Sequence, residues 1–329
     1  MPLSPELRAF LIGFVPAAIS AWPIYRALVA MKSRQTVSQH VAEHAHKQGT
    51  PTMGGLIILV GLLTYGVWEL TQSSGPGTRL AGVLALVVGY SLIGFVDDYV
   101  IPKVMKGKRG LGWTQKLLLQ IGFAALAVLL MQPTNTIALG LAIFSILFFA
   151  NAFNFTDGMD WLASTVLVAL AGGGAVLANM ENMPGVTLLF CAVLGAVLPF
   201  MALNRPPAKL FMGDVGSMPI GGLLGLGFAA TCLPAVAPGL ARDPESLQSN
   251  AWPTWVGVIV ISFVMLAELV PVPIQIASVK LRKKKVFPFT PIHHAFQRAG
   301  WKETRVVGLF FAVQLVCTLI ALGVAVAFR

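Results

Sequence analysis

The stretch VTLLFCAVLGAVLPFMAL, residues 186–203, decides the fold class of this chain. It contains no charged residue, and as an α-helix it would be about 27 Å long, close to the ~30 Å hydrocarbon thickness of a bilayer. Similar apolar runs lie on both sides of it, at 7–31, 53–70, 79–96, 114–131, 135–152, 162–179, 216–234, 253–272 and 304–328. The sequence therefore predicts an all-α integral membrane protein with about ten transmembrane helices, folded as one polytopic domain over residues 1–329.

The composition excludes the soluble classes of protein. Residues of the set AVILMFWYC make up 56% of the chain, charged residues make up only 11%, and the mean hydropathy is +0.79. Soluble domains carry about 25% charged residues. In a membrane protein, a net charge of +10 is explained first by basic residues in the loops that set its orientation. We therefore expect no nucleic-acid partner.

The basic residues predict how the chain is oriented in the membrane. Most of the 23 Lys and Arg residues fall in or beside the connections on one side of the predicted spans. By the positive-inside rule this side is cytoplasmic, which places both termini on the extracytoplasmic side. The predicted cytoplasmic loops are about 32–52, 97–113, 151–161, 204–215 and 273–303.

Acidic residues collect at the predicted cytoplasmic ends of the spans. The chain has only 13 acids, and five aspartates lie there: Asp97, Asp98, Asp157, Asp160 and Asp214. Polar groups at membrane depth are expensive and usually face a cavity or a partner. Their concentration on one side predicts a single site in a cytoplasmic-facing cleft.

Carboxylates without a cysteine cluster favour Mg²⁺, or Mn²⁺, over zinc at this site. The simpler alternatives are a solvated helix end for Asp97 and Asp98, and a helix N-cap formed by Asp214 with Ser217. Two functional classes stay open on the residues alone, namely an enzyme acting on a lipid phosphate and a cation-coupled transporter. A transporter would place its ionisable groups near the bilayer midplane, where only Glu268 lies, so the enzyme is favoured.

Five motifs occur in one order, each at a predicted cytoplasmic boundary. They are GTPTMGG at 49–55, GFVDDY at 94–99, NAFNFTDGMDWLA at 151–163, NRPPAKLFMGDVGS at 204–217 and TPIHHAFQRAGW at 290–301. Together they resemble the phospho-N-acetylmuramoyl-pentapeptide transferase family, a branch of the polyprenyl-phosphate N-acetylhexosamine-1-phosphate transferases. The resemblance runs from about residue 32 to the last span.

The resemblance implies a bacterial enzyme of the cytoplasmic (inner) membrane. It implies transfer of phospho-N-acetylmuramoyl-pentapeptide from its UDP-linked precursor to undecaprenyl phosphate, giving lipid I and UMP with Mg²⁺, in a chain that contacts membrane lipids and could form a homodimer. The nearest alternative is a related transferase that uses UDP-N-acetylglucosamine.

The resemblance also implies roles for individual residues. The positions that match the family's catalytic groups are Asp97, Asp98, Lys116, Asp214 and His293, with Asp214 as the metal ligand. Those that match its substrate-contacting positions are Lys47, Thr52, Asn151, Asn154, Asp157, Gly158, Asp160, Asn204, Phe211 and His294. Glu268 matches the family's glutamate in the ninth span.

Two residues depart from the family's pattern. Ala295 stands where the family usually has a third histidine, and Trp161 replaces a usual glycine. The mechanism also leaves alternatives. Asp97 could remove a residual proton from the lipid phosphate or simply hold that phosphate in line, and a two-step route through a covalent phospho-aspartate stands beside direct attack, which we favour.

Overall fold

The computed structural model describes residues 3–31, 49–72, 78–105, 110–241 and 252–328. Within these ranges the chain forms helices and short turns, with no β-strand. In chain order the α-helices of seven residues or more are α1 Pro5–Ala30, α2 Gly55–Gln72, α3 Thr78–Phe95, α4 Trp113–Leu130, α5 Thr136–Thr156, α6 Leu162–Met180, α7 Pro184–Leu203, α8 Asp214–Cys232, α9 Trp252–Ile261, α10 Phe263–Leu269, α11 Pro271–Arg282, α12 Ile292–Arg298 and α13 Glu303–Ala327.

Nine helical segments of the described residues are long and apolar enough to cross a membrane. Eight of them lie on predicted spans, and the part of the chain that the structure describes is all-helical, as in a multi-pass membrane protein. The predicted span 53–70 is the apolar helix Gly55–Thr71, which is slightly shorter than these nine.

The predicted span 253–272 is wrong in its bounds. The chain there is divided into α9, α10 and α11, and the long apolar segment is Phe263–Arg282. At the first division the Ser262 hydroxyl donates to the Val258 carbonyl oxygen at 2.6 Å, a type of bond that slightly destabilises helices. At the second, Pro271 has no N–H to continue the helical hydrogen bonds.

Helix α8 is the centre of the fold. Every residue from Val215 to Cys232 is buried. Gly221 and Gly225 lie directly against the α5 backbone, and the Ser145 hydroxyl of α5 donates to the Gly225 carbonyl oxygen at 2.8 Å. Small residues at this spacing let two membrane helices approach closely. The packing therefore fixes the first residue of α8 relative to the last turn of α5.

Gly94 brings the end of α3 against the start of α8. A Cβ atom at Gly94 would collide with the backbone of Asp214 and Val215. Backbone atoms at a packed helix start cannot give way cheaply, so only glycine allows this approach.

We expect Gly94→Ala to lower the free energy of unfolding by about 1–3 kcal/mol, because the added methyl group overpacks this contact. The change should also separate the aspartates on either side of it. Thermal unfolding in detergent checks the first effect, with Gly122→Ala as the control, since nothing lies within 4 Å of a Cβ atom at Gly122. Equal stability of the two variants would contradict the prediction.

Candidate functional site

Three carboxylates meet where the end of α3 faces the start of α8. One oxygen from each of Asp97, Asp98 and Asp214 lies within 4.8 Å of the others. Adjacent residues of an α-helix point about 100° apart. Asp97 and Asp98, however, lie in a π-helical turn, Val96–Val100, that follows α3. Such turns are frequent at functional sites, and this one directs both side chains to the same cluster.

Lys116 supplies the positive charge of the cluster. Its ammonium group lies 3.3 Å from Asp97 Oδ2 and also pairs with Asp214 Oδ2. The three side chains are 16–19% exposed, so solvent reaches the pair only partly. The backbone N–H of Leu111 donates to Asp97 Oδ1 at 2.6 Å. One ammonium group thus joins carboxylates from two different helices.

Asp98 anchors the N-terminus of α8. Its Oδ2 accepts hydrogen bonds from the backbone N–H groups of Asp214 at 2.7 Å and Val215 at 3.4 Å. A carboxylate is favourable at the positive end of a helix dipole. The simpler N-cap interpretation of Asp214 is therefore wrong, since Asp98 caps this helix and leaves the Asp214 carboxylate for Lys116.

Asn154 connects the last turn of α5 to the cluster. Its amide donates to Asp214 Oδ1 at 2.6 Å and to Ser217 Oγ at 2.8 Å. Asn151 lies one turn deeper in the same helix, where its amide donates to Gln120 Oε1 at 3.1 Å and to Leu147 O at 2.7 Å. The structure therefore brings Asn154 into the cluster and places Asn151 in the contact with α4.

The cluster fits a divalent cation. Three ionised carboxylates against one ammonium group leave excess negative charge, and like charges this close repel each other. A doubly charged ion would balance that excess. Oxygen ligands alone suit Mg²⁺ or Mn²⁺.

Asp157 ends α5 beside this cluster, as the C-cap residue of the helix. Burial raises the pKa of its carboxyl group well above the usual range, and the negative charges of Asp214 and Asp98 raise it further. In the unfolded chain the pKa is about 3.9. Between the two pKa values the native state binds more protons than the unfolded state, so this group lowers stability as the pH rises.

We expect Asp157→Asn to raise the apparent Tm more at pH 8 than at pH 5, measured with EDTA present. Ionisation of the wild-type carboxyl group is penalised in the folded protein, and this penalty grows as the pH rises above the unfolded-state pKa of about 3.9, whereas the amide carries no charge at either pH. A gain in Tm that is the same at both pH values would show that Asp157 ionises freely in the folded protein.

Asp160 and Asn204 shape the loop that joins α5 to α6. Asp160 Oδ2 accepts a hydrogen bond from the Ala208 backbone N–H, and Asn204 Oδ1 accepts one from the Trp161 N–H, both at 2.8 Å. Asp160 and Asn204 are both buried. Trp161 has a φ of 70°, a left-handed conformation that favours glycine. Its indole N–H donates to Met201 O at 2.8 Å, which holds the large side chain in place.

Thr52 and Phe211 lie on two extended segments that pair beside the cluster. The Phe211 N–H donates to Pro51 O at 2.9 Å, and the Gly54 N–H donates to Phe211 O at 2.7 Å. The Thr52 hydroxyl oxygen and Asp98 Oδ2 both lie next to Gly213. The pairing thus brings the motif at 49–55 to the start of α8. Lys47 lies outside the described residues.

His293 packs against Gly158 in the loop that joins α5 to α6. His293 is fully buried, and its Nε2 lies against Gly158. Its Nδ1 lies 2.8 Å from Glu268 Oε2, a pairing that the sequence does not indicate. His294 is half-buried, with Nδ1 2.9 Å from Gln297 Oε1.

Some contacts of the candidate site have no recognisable sequence pattern. The backbone N–H of Asp160 donates to Glu303 Oε1 at 2.8 Å, across 143 residues of sequence. The Leu111 N–H on Asp97 is a backbone group that any residue except proline could supply. Only the tertiary structure reveals such contacts.

Comparison with known proteins places the chain in a family. Residues 80–232 match the model of Glycosyl transferase family 4, and residues 47–59 match phospho-N-acetylmuramoyl-pentapeptide-transferase signature 1. The first match contains Asp97, Asp98, Lys116 and Asp214, so it spans the whole acidic cluster.

Curated relatives match nearly the whole chain. It is 32% identical to the phospho-N-acetylmuramoyl-pentapeptide-transferase of Staphylococcus carnosus over 97% of each chain. It is 36% identical to the protein of that name from Desulforamulus reducens, over 90% of this chain and 88% of the relative. The protein of the same name from Geobacillus kaustophilus is 31% identical over 99% of each chain. The chain therefore belongs to the phospho-N-acetylmuramoyl-pentapeptide-transferase family, as its five motifs predict.

Proposed function

We propose that this protein transfers phospho-N-acetylmuramoyl-pentapeptide from its UDP-linked precursor to undecaprenyl phosphate, giving lipid I and UMP. The observation that carries the proposal is the cluster of Asp97, Asp98 and Asp214 around Lys116, in a chain of this family. A site that handles three phosphate groups needs cations held rigidly, and the cluster offers an ammonium group together with a set of oxygen ligands for a divalent ion.

We propose that the cluster opens to the cytoplasm of a bacterial cell, with both termini on the other side of the inner membrane. Basic residues support this orientation. Arg205 and Lys209 lie in the loop between α7 and α8, and Lys103 and Arg298 lie in the last turns of the short helices Ile101–Val104 and Ile292–Arg298. Basic residues at span ends favour the cytoplasmic side. A UDP-linked precursor made in the cytoplasm would reach such a site directly.

The proposed reaction exchanges one phosphoanhydride bond for another. An oxygen of the lipid phosphate attacks the phosphorus that carries the sugar, the bond from that phosphorus to UMP breaks, and UMP leaves with the electron pair. We infer that such an exchange is close to isoenergetic. Catalysis then depends on positioning and on charge neutralisation rather than on driving force.

Each side chain of the cluster has a role that its contacts support. Lys116 would neutralise phosphoryl oxygens, as positive groups do in other phosphoryl transfers. Asp98 keeps the first turn of α8 in place, and Asn154 orients the Asp214 carboxylate. Asp214, with Asp97 and Asp98 beside it, would hold Mg²⁺, which supplies a Lewis acid for the pyrophosphate.

The contacts of Asp97 favour direct attack by the lipid phosphate. Both Asp97 oxygens already accept hydrogen bonds, one from the Leu111 N–H and one from Lys116. A phospho-aspartate at this position would break one of them. A phosphate monoester has a second pKa of about 6, so the lipid phosphate is mostly dianionic at neutral pH and needs little help from a base. We therefore assign Asp97 a holding role.

The test is UMP release by purified protein with undecaprenyl phosphate and Mg²⁺. UDP-N-acetylmuramoyl-pentapeptide and UDP-N-acetylglucosamine are supplied in parallel reactions. We expect release with the muramoyl donor only. Release with UDP-N-acetylglucosamine only would assign the protein to the sister branch, and no release with either donor from folded protein would favour a transporter.

A further inference from the structure

Glu268 and His293 form a buried pair that the proposed chemistry does not use. Both side chains are at most 1% exposed. Glu268 Oε2 lies 2.8 Å from His293 Nδ1, and Glu268 Oε1 accepts the backbone N–H of His293 at 3.2 Å. An ionisable side chain within a membrane span is expensive and usually has a function. Both oxygens of this carboxylate therefore contact the same residue, His293.

The two contacts determine which ring nitrogen carries a proton. A carboxylate accepts hydrogen bonds and donates none, so Nδ1 of His293 must be the donor. The other ring nitrogen, Nε2, is buried and has no hydrogen-bond partner among the described residues. A buried polar atom without a partner is costly, and such atoms are retained where they have a role.

Nε2 of His293 points at the loop that joins α5 to α6. A Cβ atom at residue 158 would meet Nε2 first and then the neighbouring ring carbons of His293. Gly158 does not have a positive φ, so its backbone conformation does not require glycine. The close approach of the His293 ring is therefore the physical reason for a glycine at this position.

We propose that Glu268 is a positioning residue that locks the ring of His293 as the Nδ1–H form and aims Nε2 at the loop 157–160. Glu268 acts only through His293 and touches no reacting atom. The expected effect of Glu268 on turnover rests on the proposed function. The lock, which is the fixing of His293 in the Nδ1–H form by Glu268, does not.

Replacing the carboxylate by an amide tests the lock directly. In Glu268→Gln the amide oxygen can accept the backbone N–H of His293, but the amide nitrogen then donates towards Nδ1. Two donors cannot face each other, so we expect the ring to change to the Nε2–H tautomer. ¹⁵N NMR of histidine-labelled protein reports this change, and signals that vanish in His293→Asn identify the residue among the five histidines.

The wild-type spectrum is decisive even if Glu268→Gln fails to fold. We expect a protonated Nδ1 in His293, whether the ring is neutral or charged. An unprotonated Nδ1 in the wild-type protein, or the same tautomer in a folded Glu268→Gln protein, would overturn the proposal.

A double-mutant cycle separates positioning from general stabilisation. In His293→Asn the amide nitrogen takes roughly the place of Nδ1, while Nε2 is deleted. Removing the outer hydrogen-bond partner of a metal-ligating histidine typically costs about 10- to 100-fold in activity, and we take this as the scale for His293. We expect that loss in kcat with little change in KM for Glu268→Gln, and no additional loss when Glu268→Gln is combined with His293→Asn. Additive losses would mean that Glu268 does not act through His293.

Glu181→Gln is the matched control. Glu181 lies at the other end of α6, where its carboxylate accepts a hydrogen bond from Thr254 at 2.8 Å, so the same change of group should leave kcat unaltered. The NMR measurement needs no substrate. An inactive wild-type protein with a protonated Nδ1 would therefore contradict the proposed function and leave the lock intact.

Discussion

Asp214→Asn should lower UMP release about 1000-fold, the upper range for removing one preorganised electrostatic group from a site. Asp214 accepts bonds from Lys116 on one oxygen and from Asn154 on the other. An amide can keep only one of these, because its nitrogen would face a second donor. The change therefore removes a negative charge and disrupts the geometry of the cluster.

A measurement without substrate shows whether this loss comes from the metal site. A ligand that binds only the folded state raises the apparent Tm. We expect Mg²⁺ to raise the Tm of the wild-type protein and to have little effect on Asp214→Asn. The control is again Glu181→Gln, which replaces a carboxylate by an amide far from the cluster. A full response to Mg²⁺ in Asp214→Asn would exclude Asp214 as a principal metal ligand.

Lys116→Met should lower UMP release about 100-fold, because the substrate phosphates lose a fixed positive charge. The methionine side chain has a similar length, so the effect is mainly electrostatic. Asp97 and Asp214 would also lose the ammonium group that joins them. Partly buried carboxylates without a partner repel each other, so the variant should be less stable in EDTA than the wild-type protein.

The response to Mg²⁺ distinguishes this variant from Asp214→Asn. Removal of a cation from an acidic cluster strengthens its attraction for a divalent ion. We expect the Mg²⁺ concentration needed for half of the Tm increase to fall in Lys116→Met, although the activity falls. Lys116→Arg should recover only part of the activity, since a planar guanidinium replaces a compact charge. A weaker response to Mg²⁺ in Lys116→Met would indicate that Lys116 organises the metal ligands rather than balancing their charge.

The membrane class and most of the helices could be predicted from the sequence. Apolar runs of about 18–25 residues have one stable solution in a bilayer, in which every backbone polar group bonds within its own helix. The ninth span was not predictable in this way, because hydropathy does not register the division between helices at Ser262 or the missing N–H of Pro271. Local polar and steric effects decided its bounds.

For the candidate site, the sequence predicted which residues lie in it but not how they contact each other. Sequence motifs placed Asp97, Asp98 and Asp214 at the same membrane boundary, and the resemblance to the family added Lys116. They could not show that a π-helical turn would turn two adjacent aspartates towards one point, nor that Asp98 would cap α8. Asn151, which shares a motif with Asn154, contacts Gln120 one turn deeper instead. Helical spacing between two residues does not specify which neighbouring residue each side chain contacts.

The sequence by itself determined that this chain crosses a membrane many times and which residue types gather at one side. It also contained the five motifs of the family, because the chemistry of phosphate and metal needs carboxylates, amides and a lysine whatever their partners. Only the tertiary structure decided the pairs, such as Lys116 between Asp97 and Asp214, or Glu268 on His293. Those contacts join residues 19 to 98 positions apart, and they depend on how closely glycine-lined helices approach each other.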